Sequence, residues 1–108
     1  LPVLEAIDAA LAPLNLKHGV GVCLCDPMQD RYVLVPDYDR VFEADNDDYV
    51  VDEYVNIEFY LGGDYRVAIT SAKSLLKAAG IVVVEGRYVV FEKETKKHHY
   101  TLAVFGRV

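Results

Sequence analysis

Carboxylates are the side chains most able to do chemistry in this chain, and they are concentrated. Residues 37–53 hold eight acids, Asp37, Asp39, Glu43, Asp45, Asp47, Asp48, Asp52 and Glu53, against the single base Arg40. The run Asp45-Asn46-Asp47-Asp48 invites a calcium reading, but it lacks the glycine and the closing glutamate that an EF-hand loop needs. A solvated acidic loop is the expectation there. Acids with a lysine, the set of a metal-dependent nuclease, can be drawn from Asp52, Glu58 and Lys73. Any acidic α+β chain offers such a trio, and its order carries no motif. Ser71 and Ser74 have no local base to activate them. Gly19 and Gly21 lack the third glycine of a dinucleotide fingerprint, and Gly62-Gly63 follows a strand without the rest of a phosphate loop.

Cys23 and Cys25 point to opposite faces if the segment is a strand, which makes a bond between them geometrically poor and predicts free thiols. A metal site would need further ligands at the right spacing, and His98-His99, beside Lys96-Lys97, is expected at an exposed hairpin tip. The chain is therefore expected to be no enzyme, with no catalytic residue, cofactor or metal. The eight tyrosines are spread over strand-like segments, where they suit an interface or a half-buried sheet face equally.

A chain of 108 residues, 53% apolar and 26% charged, is the length and composition of one folded domain. No apolar run is long enough to span a membrane, and the start shows no signal-peptide pattern. The first residue is Leu1 rather than Met, which leaves the true N-terminus open. Outside residues 37–53, nine acids face ten bases, so the net charge of −6 is local. That field argues against direct nucleic-acid binding and suits a basic protein partner.

The elements that must position these residues follow from periodicity. Leu4, Ile7, Leu11 and Leu14 recur at helical spacing, predicting a helix over residues 2–12 that Pro13 ends. Residues 18–25 read as a strand, 26–30 as a turn, and 31–35 as a strand running past Pro36 as an edge or bulged segment. A loop over 43–48 precedes a strand from Tyr49 or Val50 to Leu61. Its apolar Val55, Ile57, Phe59 and Leu61 alternate with polar or amphipathic positions, so one face is dry and one wet. A second helix over 65–79 has Asp64 as N-cap and Gly80 as its left-handed C-terminal stop. Residues 81–84 and 87–91 are β-rich, broken at Glu85-Gly86. A polar turn at 93–97 leads to a last strand reaching Phe105.

The order of these pieces resembles the tail completion, or tail terminator, proteins of long-tailed phages and prophages. The features that carry it are the helix with Leu4-Glu5-Ala6-Ile7 and its exit Ala12-Pro13-Leu14-Asn15, then two strands and the acidic loop. The strand Tyr54-Val55-Asn56-Ile57-Glu58-Phe59-Tyr60 then passes through Gly63-Asp64-Tyr65 into a helix ending Leu75-Leu76-Lys77-Ala78-Ala79-Gly80. The closing hairpin holds His98-His99-Tyr100-Thr101-Leu102-Ala103-Val104. The resemblance spans nearly the whole chain and departs from it at the apolar run 81–84, where a more polar lead into the hairpin is expected.

The resemblance implies an α+β fold: a mostly antiparallel sheet of about four to five strands with two helices packed on it, in the order α-β-β-β-α-β-β. It also implies a ring, commonly a hexamer, that caps the tail tube, ends its polymerisation and meets the head connector. The partners would be further copies, the tail-tube protein and the connector or stopper protein, in a virion assembled in the host cytoplasm. Glu43, Asp45, Asp47 and Asp48 are the residues expected to dock on a basic neighbour. The alternatives are another head–tail connector component, a small metal-dependent enzyme, or a ligand-binding α+β domain.

Overall fold

The strand with period-two alternation forms the middle of the sheet. A computed structural model describes residues 2–43 and 49–107. Five strands, β1 (Lys17–Val20), β2 (Arg31–Glu43), β3 (Tyr49–Leu61), β4 (Val82–Glu92) and β5 (Lys97–Arg107), lie in the order β1-β2-β3-β5-β4. The β2–β3, β3–β5 and β5–β4 pairs are antiparallel, and β1 runs parallel to β2. Helices α1 (Pro2–Leu11) and α2 (Tyr65–Ala78) complete the expected α+β order.

The core forms where the helical stripes meet the dry face of the sheet. Val3, Leu4, Ile7 and Leu11 of α1 and Ile69, Ala72 and Leu76 of α2 are buried. They cluster with Tyr32 and Leu34 of β2, Val55, Ile57, Phe59 and Leu61 of β3, and Leu102 and Val104 of β5. Tyr32 reaches beyond the apolar set, and its hydroxyl donates to Asp8 of α1 at 2.8 Å. Burial and that carboxylate together hold the phenol well above its ordinary pKa.

Both ends of α2 are closed as their residues dictate. Asp64 accepts a hydrogen bond from the Arg66 N–H at the N-terminus. At the C-terminus Gly80 takes φ +80°, its N–H donates to the Lys77 carbonyl, and the Ile81 N–H donates to the Leu76 carbonyl. This is the paired Schellman arrangement, and buried Ile81 supplies its apolar contact.

Four local expectations are corrected. The strand expected over 18–25 stops at Val20, because the chain turns at Gly21 (φ +72°) and bends away from β2. Over 21–25 the backbone is bent, so Cys23 and Cys25 do not alternate; their Cα atoms lie 5.4 Å apart and they form a disulfide. The break expected at Glu85-Gly86 is absent: β4 is one strand with irregularities at Val83/Glu85 and Tyr88/Val90. Gly86 stands opposite Leu102, and a Cβ there would run into the Tyr100 hydroxyl, so this glycine serves close strand packing rather than a turn. Finally, His98 and His99 lie inside β5, not at an exposed tip, and both are partly covered by rings.

A charged clamp ties three distant segments at one end of the sheet. Lys97 is buried and its Nζ lies 2.5 Å from Asp30 Oδ1, which also accepts the Gly62 N–H at 3.0 Å. Lys97→Met is expected to cost about 1–3 kcal/mol, because the carboxylate keeps only part of its hydrogen bonding and is half open to water. Urea unfolding followed by circular dichroism checks this value.

Candidate functional site

Two parts of the molecule are left without a partner by its own fold, and a third carries its densest polar chemistry. The first is the outer edge of β2 in the far half of the β2–β3 hairpin, where β5 still pairs with β3 as far as Asp52. Strands of this length span about 43 Å at roughly 3.3 Å per residue, which accounts for most of the 53 Å long axis. β1 covers β2 only from Arg31 to Leu34, so residues 35–41 are exposed and form an arm. Its register shifts between Pro36 and Asp39, which places Tyr38 on Tyr54 at 4.3 Å, and Tyr54 in turn on Phe105 at 4.9 Å. This aromatic ladder stiffens the base of the arm.

The acids of residues 37–53 divide between the arm's surface and its base. Asp37 and Asp39 are exposed. Glu43 ends β2 in register with Tyr49, while Asp45, Asp47 and Asp48 lie outside the described residues. Asp52 and Glu53 are buried, at 4% and 6% exposure, so the segment is not uniformly solvated. Arg107 donates to Asp52 at 2.9 and 3.4 Å. That hydrogen bonding, helped by the charges of Arg107 and Arg40, holds the Asp52 carboxyl below its usual range against the opposing effect of desolvation.

The unfolded chain takes up the Asp52 proton at a higher pH than the folded one does. The stabilisation is therefore present above the unfolded carboxyl value of about 3.9 and is lost as pH falls through the lower folded value. Arg107→Gln is expected to lower the melting temperature near neutrality, where the pair is fully formed, and to flatten its fall between about pH 5 and pH 2, so that the two proteins converge in acid. Melting curves across that range are the check.

The second part is β4. It is an edge along its whole length, with Val82, Val84, Tyr88, Val89, Val90 and Phe91 all exposed. The sequence of β4 has no lysine or proline, and its edge is broken only by the charges of Glu85, Arg87 and Glu92 and by the irregularities at Val83/Glu85 and Tyr88/Val90. Where α2 ends beside it, a shallow cleft of 430 Å³ is lined by Lys73, Lys77 and residues 80–83. Tyr65 and His98 make an aromatic cluster with Tyr88 on the helix side of the strand.

The third part is the sheet face away from the helices. Arg31 lies over the Tyr60 ring at 4.2 Å, and Tyr60 stacks on His99 at 4.5 Å. In the adjoining row the Thr101 hydroxyl donates to Glu58, whose Oε2 stands 3.5 Å from His99 Nε2. Desolvation, reinforced by Glu58 and Glu92, raises the Tyr60 pKa. A cleft of 330 Å³ separates this face from the disulfide loop at Val22 and Cys23. Among the described residues no three His, Cys, Asp or Glu side chains converge here or elsewhere.

The trio of the metal-dependent reading is not assembled. Glu58 sits on the open face, Asp52 is engaged by Arg107 six residues along β3, and Lys73 is on α2 across the sheet. Sequence reasoning missed the Asp30–Lys97, Asp52–Arg107 and Glu58–His99 pairs. Their separations run from 41 to 67 residues, and no local pattern links side chains that become neighbours only through strand pairing. Among the described residues, no helix is long and apolar enough to cross a membrane. Searches against protein-family models and against curated proteins find no match to this chain.

Proposed function

We propose that the protein is a structural subunit of a long-tailed phage or prophage that assembles as a ring, commonly of six copies, on the end of the tail tube. The ring stops tube polymerisation and joins the tail to the head connector or stopper. The observation that carries this reading is the arm: a stiffened hairpin reaching past the packed body and bearing exposed Asp37 and Asp39 on the way to the segment with Glu43, Asp45, Asp47 and Asp48. A projecting acidic element fits a basic protein surface better than it fits nucleic acid. The open edge of β4 offers main-chain groups for further assembly.

The test is binding to tail-tube protein from the same genome. The purified protein should co-sediment with assembled tubes in a small fixed ratio set by tube ends, not by tube length. Sedimentation in proportion to tube length, or none at all, contradicts the reading.

A further inference from the structure

The middle of the open β4 edge is self-complementary, and we propose that two copies of the free protein pair there, β4 against β4 across a two-fold axis at Gly86. Residues opposite one another in a sheet must share a face. Glu85 pairs with Ala103 and Arg87 with Thr101, so both lie on the face away from the helices, and Gly86 between them faces the other way.

In an antiparallel two-fold pair, the shared-face rule requires the axis to pass through a residue rather than between two. Centring on Glu85 sets glutamate against glutamate, and centring on Arg87 sets arginine against arginine. Centring on Gly86 sets Glu85 of each copy opposite Arg87 of the other, twice. The same register brings Val82 opposite Val90 and Val84 opposite Tyr88, which are all exposed in the single copy.

Two features of the strand agree with this register. Its irregularities, at Val83/Glu85 and Tyr88/Val90, fall on either side of the central stretch and leave residues 85–88 regular. Glu85 and Arg87 are exposed and have no ion-pair partner among the described residues, so each is available to the other copy. Pairing converts two five-stranded sheets into one of ten and covers an edge that is otherwise a template for aggregation.

The pairing does not rest on the tail reading. A cap with one face to the tube and another to the head cannot keep two-fold axes in its plane. In a ring the edge is therefore free again, and the dimer belongs to the unassembled protein.

Sedimentation velocity over a concentration series tests the proposal with charge exchanges at exposed positions. The unaltered protein should show a monomer–dimer equilibrium. Glu85→Arg alone, or Arg87→Glu alone, should weaken it by about tenfold or more, because each dimer contains the pair twice. The double exchange Glu85→Arg with Arg87→Glu should restore it. Mixing the two single variants should give a heterodimer, and circular dichroism should show all of them folded. A monomer at every concentration, dimers indifferent to the single exchanges, or a double exchange that fails to restore pairing would overturn the proposal. None of these outcomes bears on tube binding, which is read from tubes.

Discussion

Phe59→Ala should leave the protein only marginally folded. Phe59 is fully buried in the central strand, between the helical layer and its neighbours, and its ring lies 5.9 Å from that of Tyr32. Truncating a phenylalanine in such a site removes its transfer free energy and leaves a cavity, together about 3–5 kcal/mol. A domain of this size holds roughly 5–15 kcal/mol in all. The melting temperature should fall by about 15–30 °C, at roughly 4–8 °C per kcal/mol. Val35→Ala, next to the core residue Leu34 but exposed, should change stability by no more than about 0.5 kcal/mol. Thermal melts of the two variants side by side distinguish a core built as described from one centred elsewhere.

Reversing the charge of the arm should do the opposite, sparing the fold and abolishing docking. Glu43, Asp45, Asp47 and Asp48 replaced together by lysine turn four negative charges into four positive ones. Charged side chains are rarely buried, so the melting temperature should move by only a few degrees. Binding to the tail tube should weaken by more than about a hundredfold, because like charges then face one another across the interface. The unaltered protein should itself bind more weakly as salt is raised toward about 1 M, where the screening length falls to roughly 3 Å. Equal binding of both forms at low salt would remove the acidic segment from the interface and leave the exposed apolar edge as its source.

The elements whose signals are local were legible in the sequence. The alternation of Val55, Ile57, Phe59 and Leu61 gave the buried face of β3, and Asp64 and Gly80 marked both ends of α2, since capping needs only residues within a turn or two. What escaped were decisions made by pairing partners. The dipeptide Glu85-Gly86 carries turn chemistry, yet β5 binds the strand on both sides and Gly86 makes room for Tyr100 and Leu102. The glycines near Val20 end β1 early, and that bend brings Cys23 and Cys25 together where an extended strand would hold them apart.

The candidate site was half legible for the same reason. Charge density marked the arm, because it is a property of the sequence alone. Burial of Asp52 and Glu53 at its base depends on Arg107 and the neighbouring strands, half a chain away. The open β4 edge was hidden too. A run of valines reads as interior until the strand order places it at the margin of the sheet.

The most direct measurement of the central claim is the length of tail tubes grown in vitro from purified tube protein, imaged by electron microscopy, with and without this protein. Tubes should stop growing when it is added, each ending in a ring-shaped density that is absent when Glu43, Asp45, Asp47 and Asp48 are replaced by lysine. Tubes of unchanged length with bare ends, at protein concentrations well above that of the tube ends, would contradict that claim.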